Sequence, residues 1–139
     1  MKAAAFLLLV IIVLSGCANS TSDNEVIGIW RANINEKQLL EFGMKKEDIA
    51  ESATEMKFSN NGVIEVRIID PVNFIPGKVN QLVGVYEIEN DRLKISFDNK
   101  RWENQKLVVD GEFMSLEAPE NKGKIINQFT RINEWSLKI

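Results

Sequence analysis

A succession of short alternating segments, joined by tight-turn signals, restricts the fold of this 139-residue chain more than any other feature. Ile64, Val66 and Ile68 alternate with Glu65 and Arg67, the period-2 pattern of a strand buried on one face. Met56-Lys57-Phe58 precedes them across Asn60-Asn61-Gly62, residues that tolerate positive φ and so close hairpins at low cost. The arrangement recurs downstream. Gly84–Glu89 turns at Asn90-Asp91 into Arg92–Phe97, with Leu93, Ile95 and Phe97 on one face and Lys94 and Ser96 on the other. Lys106–Val109 turns at Asp110-Gly111 into Glu112–Leu116, and a last strand runs from about Lys124 to Ile132. With Val26–Ala32 as the first strand, about eight strands follow one another without a crossover helix. Such a meander removes its exposed edges best by closing into a barrel.

The one helical stretch falls after the first strand. Asn35-Glu36-Lys37-Gln38 is a capping-box variant with Asn35 as N-cap and Gln38 reaching back. Leu39, Leu40 and Phe42 give an apolar side, and Gly43 is placed to stop the helix. A second short helix is expected over Lys46–Ala53, with Ile49, Ala50 and Ala53 on one side. The expected fold is therefore mainly β: an antiparallel, up-and-down, eight-stranded barrel with a two-helix insert after strand one.

Met1-Lys2 precedes an unbroken apolar run from Ala3 to Leu14, shorter than the roughly 20 residues a spanning helix needs. The run ends in Leu14-Ser15-Gly16-Cys17, which resembles the lipobox of bacterial lipoproteins. That resemblance implies a signal peptide over 1–16, with palmitate-type acyl chains on Cys17. Residues 17–25 would then be the lipidated Cys and a polar tether, and 26–139 the barrel domain. Several chains on one residue anchor durably where one holds only marginally. The implied location is the cell envelope. Ala18, which is not Asp, implies the outer membrane facing the periplasm where the host is Gram-negative.

Within Val26–Ile132 the chain is similar to the lipocalin-like domains of bacterial lipoproteins. The likeness rests on Gly28-Ile29-Trp30, Phe58-Ser59-Asn60-Asn61-Gly62, Gly84-Val85-Tyr86-Glu87-Ile88 and Phe129-Thr130-Arg131-Ile132. It implies that Trp30 closes one end of the barrel and that Arg131 packs across its ring. In fatty-acid-binding barrels a helical pair placed like this one forms a lid. Those barrels commonly hold the ligand carboxylate with Arg-x-Tyr near the C-terminus, whereas Arg131 here is followed by Ile132 and Asn133.

The chemistry open to the chain is narrow. It has no histidine, which removes His-based triads, His-mediated acid–base work and most zinc sites. Its single Cys is assigned to lipid, so no thiol nucleophile or internal disulfide remains. No nucleotide-binding loop or EF-hand is present, and neither a cofactor nor a metal is expected. With 17 basic and 20 acidic residues the chain lacks the charge of a nucleic-acid binder. Glu87 and Glu89 share a strand face, as solvated outer residues do. The expectation is a non-enzymatic protein.

Arg131 is the sharpest candidate, read either as a cation for an anionic headgroup or as the guanidinium stacked on Trp30. Tyr86, Phe97, Met114 and Phe129 could line a cavity holding a small apolar ligand, or could simply fill the barrel. Val72, Phe74 and Ile75 lie in the Pro-bracketed loop Asp70–Gly77. They either fold over the barrel mouth or offer a patch to an envelope protein partner. Trp135, Leu137 and Ile139 alternate after the last strand, as a short extra strand or a packed tail. Two functions remain in view: a membrane-anchored barrel binding an apolar or amphipathic ligand, and a protein–protein module with a filled barrel.

Overall fold

The computed structural model describes residues 23–117 and 126–139. The expected signal peptide, Cys17 and the start of the expected tether lie outside the described residues. The elements run α1 (Asp23–Val26), β1 (Gly28–Asn33), α2 (Glu36–Glu41), α3 (Lys46–Glu51), β2 (Ala53–Phe58), β3 (Val63–Ile69), β4 (Asn80–Glu89), β5 (Arg92–Ser96), β6 (Glu103–Asp110), β7 (Phe113–Glu117) and β8 (Ile126–Ile132). Each strand pairs antiparallel with the next, and β8 returns to β1, closing an eight-stranded barrel. The expected fold class is the observed one.

The turns follow from backbone chemistry. Asn90 takes φ 59° and Gly111 φ 59°, each at the first position of a two-residue turn, between the pairs Glu89–Arg92 and Asp110–Phe113. Asp110, expected in the turn, is therefore the last ladder residue of β6, and Glu112 shares the turn with Gly111. At α2, the Gln38 amide donates to Asn35 Oδ1, capping the helix start. Gly43 at φ 86° ends it: its N–H bonds the Leu40 carbonyl and the Met44 N–H bonds that of Leu39, the paired bonds of a Schellman stop. The second helix stops at Glu51 rather than Ala53, because Ala53 pairs with Ile69 as the first residue of β2.

The period-2 faces sort as inside and outside. Trp30, Phe58, Ile64, Leu93, Leu107 and Met114 form a buried core with Tyr86, Ile95, Leu116 and Phe129. The end holding the β2–β3, β4–β5 and β6–β7 turns is closed. Phe58 meets Tyr86 edge to face at 5.0 Å, and the Tyr86 hydroxyl donates to the Ser59 carbonyl. The other end carries α2, α3 and the loops after β3 and β5. It is the mouth.

Two segments outside the ladder complete the body. Asp23–Glu25, expected as tether, instead belong to α1, a helical turn seated on the closed end with Val26 fully buried. The Trp30 indole Nε1 donates to the Val26 carbonyl, and Arg131 Nη2 and Nη1 donate to the Glu25 and Ile27 carbonyls. After β8 the tail lies over the outer face of β1–β3 as an irregular packed strap, not a strand. Glu55 points outward beneath it and is 0% exposed. Its Oε1 accepts from the Ser136 and Leu137 amides at 2.9 Å, and its Oε2 accepts from Arg31 at 2.8 Å and from the Ser136 hydroxyl. Arg67 stacks 4.1 Å from the Trp135 ring and donates to the Leu137 carbonyl. The closed ladder, its core, α1 and the strap all fall within 23–139, so this segment carries its own hydrophobic body.

Candidate functional site

Core side chains fill the closed half of the barrel, and the mouth half is open. A cavity of about 640 Å³ lies there between the helical pair and the strands, inside the range of small-molecule sites. Its wall consists of the mouthward inward positions: Ala32 on β1, Thr54 on β2, Ile68 on β3 and Asn127 on β8. Leu39, Phe42 and Met44, carried by α2 and the turn after it, supply an apolar roof. The Schellman stop at Gly43 is what folds that turn over the opening. Val72 and Asn73 close the side, from the loop after β3.

The rim is polar. Lys45, Asp48 and Asp70 are its charged members among the described residues. Asp70 organises the loop: its carboxylate accepts from the Val72 and Asn73 amides and from the Asn73 side chain. The Asn73 side-chain bond, with the two amide bonds, outweighs partial burial and holds the Asp70 carboxyl below its ordinary value. It is ionised at neutral pH. Among the described residues no three His, Cys, Asp or Glu side chains are grouped to hold a metal. No described helix is long and apolar enough to cross a membrane.

The sequence-derived candidates divide by height along the barrel axis. Arg131 lies 4.2 Å over the Trp30 ring at the closed end, far from the mouth. Its guanidinium is bonded to the Glu25 and Ile27 carbonyls, and Glu112 stands 3.9 Å from Nε. Gly28 makes room for it, since a Cβ there would lie 2.7 Å from Arg131 Nη1. Tyr86, Met114 and Phe129 are inside the barrel but in its filled half. Met114 and Phe129 also border a separate recess of about 220 Å³ between β6 and β8. Phe97 keeps to the inner side but is not among the residues that line the cavity. Its strand ends at Ser96, and the ring is 45% exposed, resting where a Cβ on Gly84 would stand. In the Pro-bracketed loop Val72 borders the cavity while remaining 60% exposed, and Phe74 and Ile75 are exposed by 40% and 65%. Glu87 and Glu89 are solvated, and Glu89 lies 3.6 Å from Lys94.

Sequence reasoning missed the site's own walls. Thr54 and Asn127 had no distinguishing signal and Ile68 was legible only as an inward residue, whereas Leu39 and Phe42 were legible as the apolar side of a helix with nothing in sequence to pack on.

No protein-family model matches the chain, and no curated protein matches it in sequence. Among solved structures it is similar to fatty-acid-binding protein 1 of Echinococcus granulosus, at 12% identity and a TM-score of 0.39, over 78% of this chain and 98% of that one. It is also similar to the fluorescent protein UnaG, at 13% identity and a TM-score of 0.38, over 80% and 100% respectively.

Proposed function

We propose that the protein is a non-enzymatic, lipid-anchored binding barrel that takes one small apolar or amphipathic ligand at its mouth. The cavity carries this reading: about 640 Å³, roofed by Leu39, Phe42 and Met44 and rimmed by polar groups. The anchor part rests on the lipobox-like Leu14–Cys17. The chain enters the barrel at the closed end through α1, so a lipid on Cys17 would leave the mouth unobstructed. Native mass spectrometry of residues 23–139 tests the binding: a co-purifying or added amphiphile at one per chain is expected. A bare mass with every apolar ligand tried would sink it.

The second reading, docking to an envelope protein partner, is favoured by the exposed Phe74 and Ile75 beside the mouth. Loss of partner capture by a Phe74→Ser chain of unchanged stability would favour it over ligand binding.

A further inference from the structure

A ligand with an apolar chain and a polar head must place that head against the charges at the mouth, and those charges are unequal. Asp48 and Asp70 border the cavity, with Lys45 as the one cation beside them among the described residues. The guanidinium groups that could grip a carboxylate are all engaged or placed elsewhere. Arg31 serves Glu55 and Arg67 serves the strap, both on the outer face. Arg131 is held at the closed end over Trp30. Arg92 sits at the β4–β5 turn of that end, and Arg101 pairs with Asp98 at 3.4 Å on the loop after β5. Asp70 is fixed in its own turn by three donors and is not free to swing away.

A carboxylate head seated in this cavity would lose water and would face two like charges, Asp48 and Asp70, against the single cation Lys45 among the described lining residues. An uncharged head meets no such penalty. The Thr54 hydroxyl and the Asn127 carboxamide on the wall offer both donors and acceptors to hydroxyl or ester oxygens. We infer that the mouth cavity selects amphiphiles with an uncharged, hydrogen-bonding head, of the monoacylglycerol class, and rejects the carboxylate of a free fatty acid. The inference deepens the binding reading above and rests on it.

The test is competition against a neutral fluorescent probe, N-phenyl-1-naphthylamine, bound to residues 23–139 at neutral pH. Monolaurin and laurate share an acyl chain and differ in the head. Monolaurin is expected to displace the probe at a concentration at least tenfold lower than laurate. In Asp48→Asn, laurate is expected to gain a few-fold relative to monolaurin. Laurate competing as well as monolaurin in the parent chain, or an Asp48→Asn variant that leaves the ratio unmoved, overturns the head-group selection alone. A probe that does not bind, with neither competitor retained in native mass spectrometry, overturns the binding reading as well.

Discussion

Replacing Glu55 by Gln isolates the contact that fixes the strap. The carboxylate is fully buried and accepts four hydrogen bonds, from Arg31, the Ser136 hydroxyl and the Ser136 and Leu137 amides. The Gln side chain keeps one acceptor oxygen for the two amides but turns an NH2 toward Arg31 and the Ser136 hydroxyl. Bonds to a charged acceptor contribute about 1.5–3 kcal/mol and neutral ones about 0.5–1.5, so the two amide bonds lose roughly 2 kcal/mol together. The Arg31 bond adds little, because that side chain is 44% exposed and water screens it. A freed strap would rehydrate its amides, which caps the cost at about 2–3 kcal/mol, or roughly 6–15 °C in Tm for a body of this size.

The pH dependence has a definite sign. Burial pushes the Glu55 carboxyl up, but the Ser136 hydroxyl, the Leu137 and Ser136 amides and Arg31 outweigh it and hold it below its ordinary value. A lowered folded pKa adds stability above the ordinary carboxylate range, and the gain is lost as pH falls through the folded value. The gap between parent and Glu55→Gln should therefore be full at pH 7 and narrow below about pH 4. Thermal melts of residues 23–139 across that range measure both effects. A variant melting within 2 °C of the parent at pH 7 would refute the assignment of the strap to Glu55.

Four further outcomes are expected. Trp30→Ala, which empties the closed end beneath Arg131, should lose about 3–5 kcal/mol in urea unfolding. Gly28→Ala should cost more than about 1 kcal/mol by the same assay, because Gly28 has φ 132° and its new Cβ would displace Arg131. Phe74→Ser should leave stability within about 0.5 kcal/mol, since the ring is 40% exposed; a larger loss would mean the loop caps the mouth. Metabolic labelling with radioactive palmitate should mark the full chain and leave Cys17→Ala unlabelled, and equal labelling of both would remove the anchor.

The hairpins were legible because alternation at Ile64–Ile68 and Leu93–Phe97 reports burial of one face directly. Alternation says nothing about depth along the barrel axis. Tyr86, Met114 and Phe129 were therefore readable as inward, but not as belonging to the filled half rather than the mouth. The first half of β4 was not expected as strand, because Leu82 and Val83 are exposed and break the inside–outside rhythm. The strap was invisible for a different reason. Glu55 sits in Ala53-Thr54-Glu55-Met56-Lys57, where an outward charge reads as solvated, and only the distant Ser136 and Leu137 bury it. The turn α1 has no apolar periodicity of its own. Its order comes from Trp30 and Arg131, which bond its carbonyls.

The most direct test is to map ligand contacts in solution. Backbone amide NMR spectra of residues 23–139, titrated with monolaurin, should shift at Ala32, Leu39, Phe42, Thr54, Ile68 and Val72, while Trp30, Tyr86 and Phe113 hold still. Saturable shifts confined to the closed end or to the β6–β8 face, or a spectrum unchanged at saturating monolaurin, would contradict a binding site at the barrel mouth.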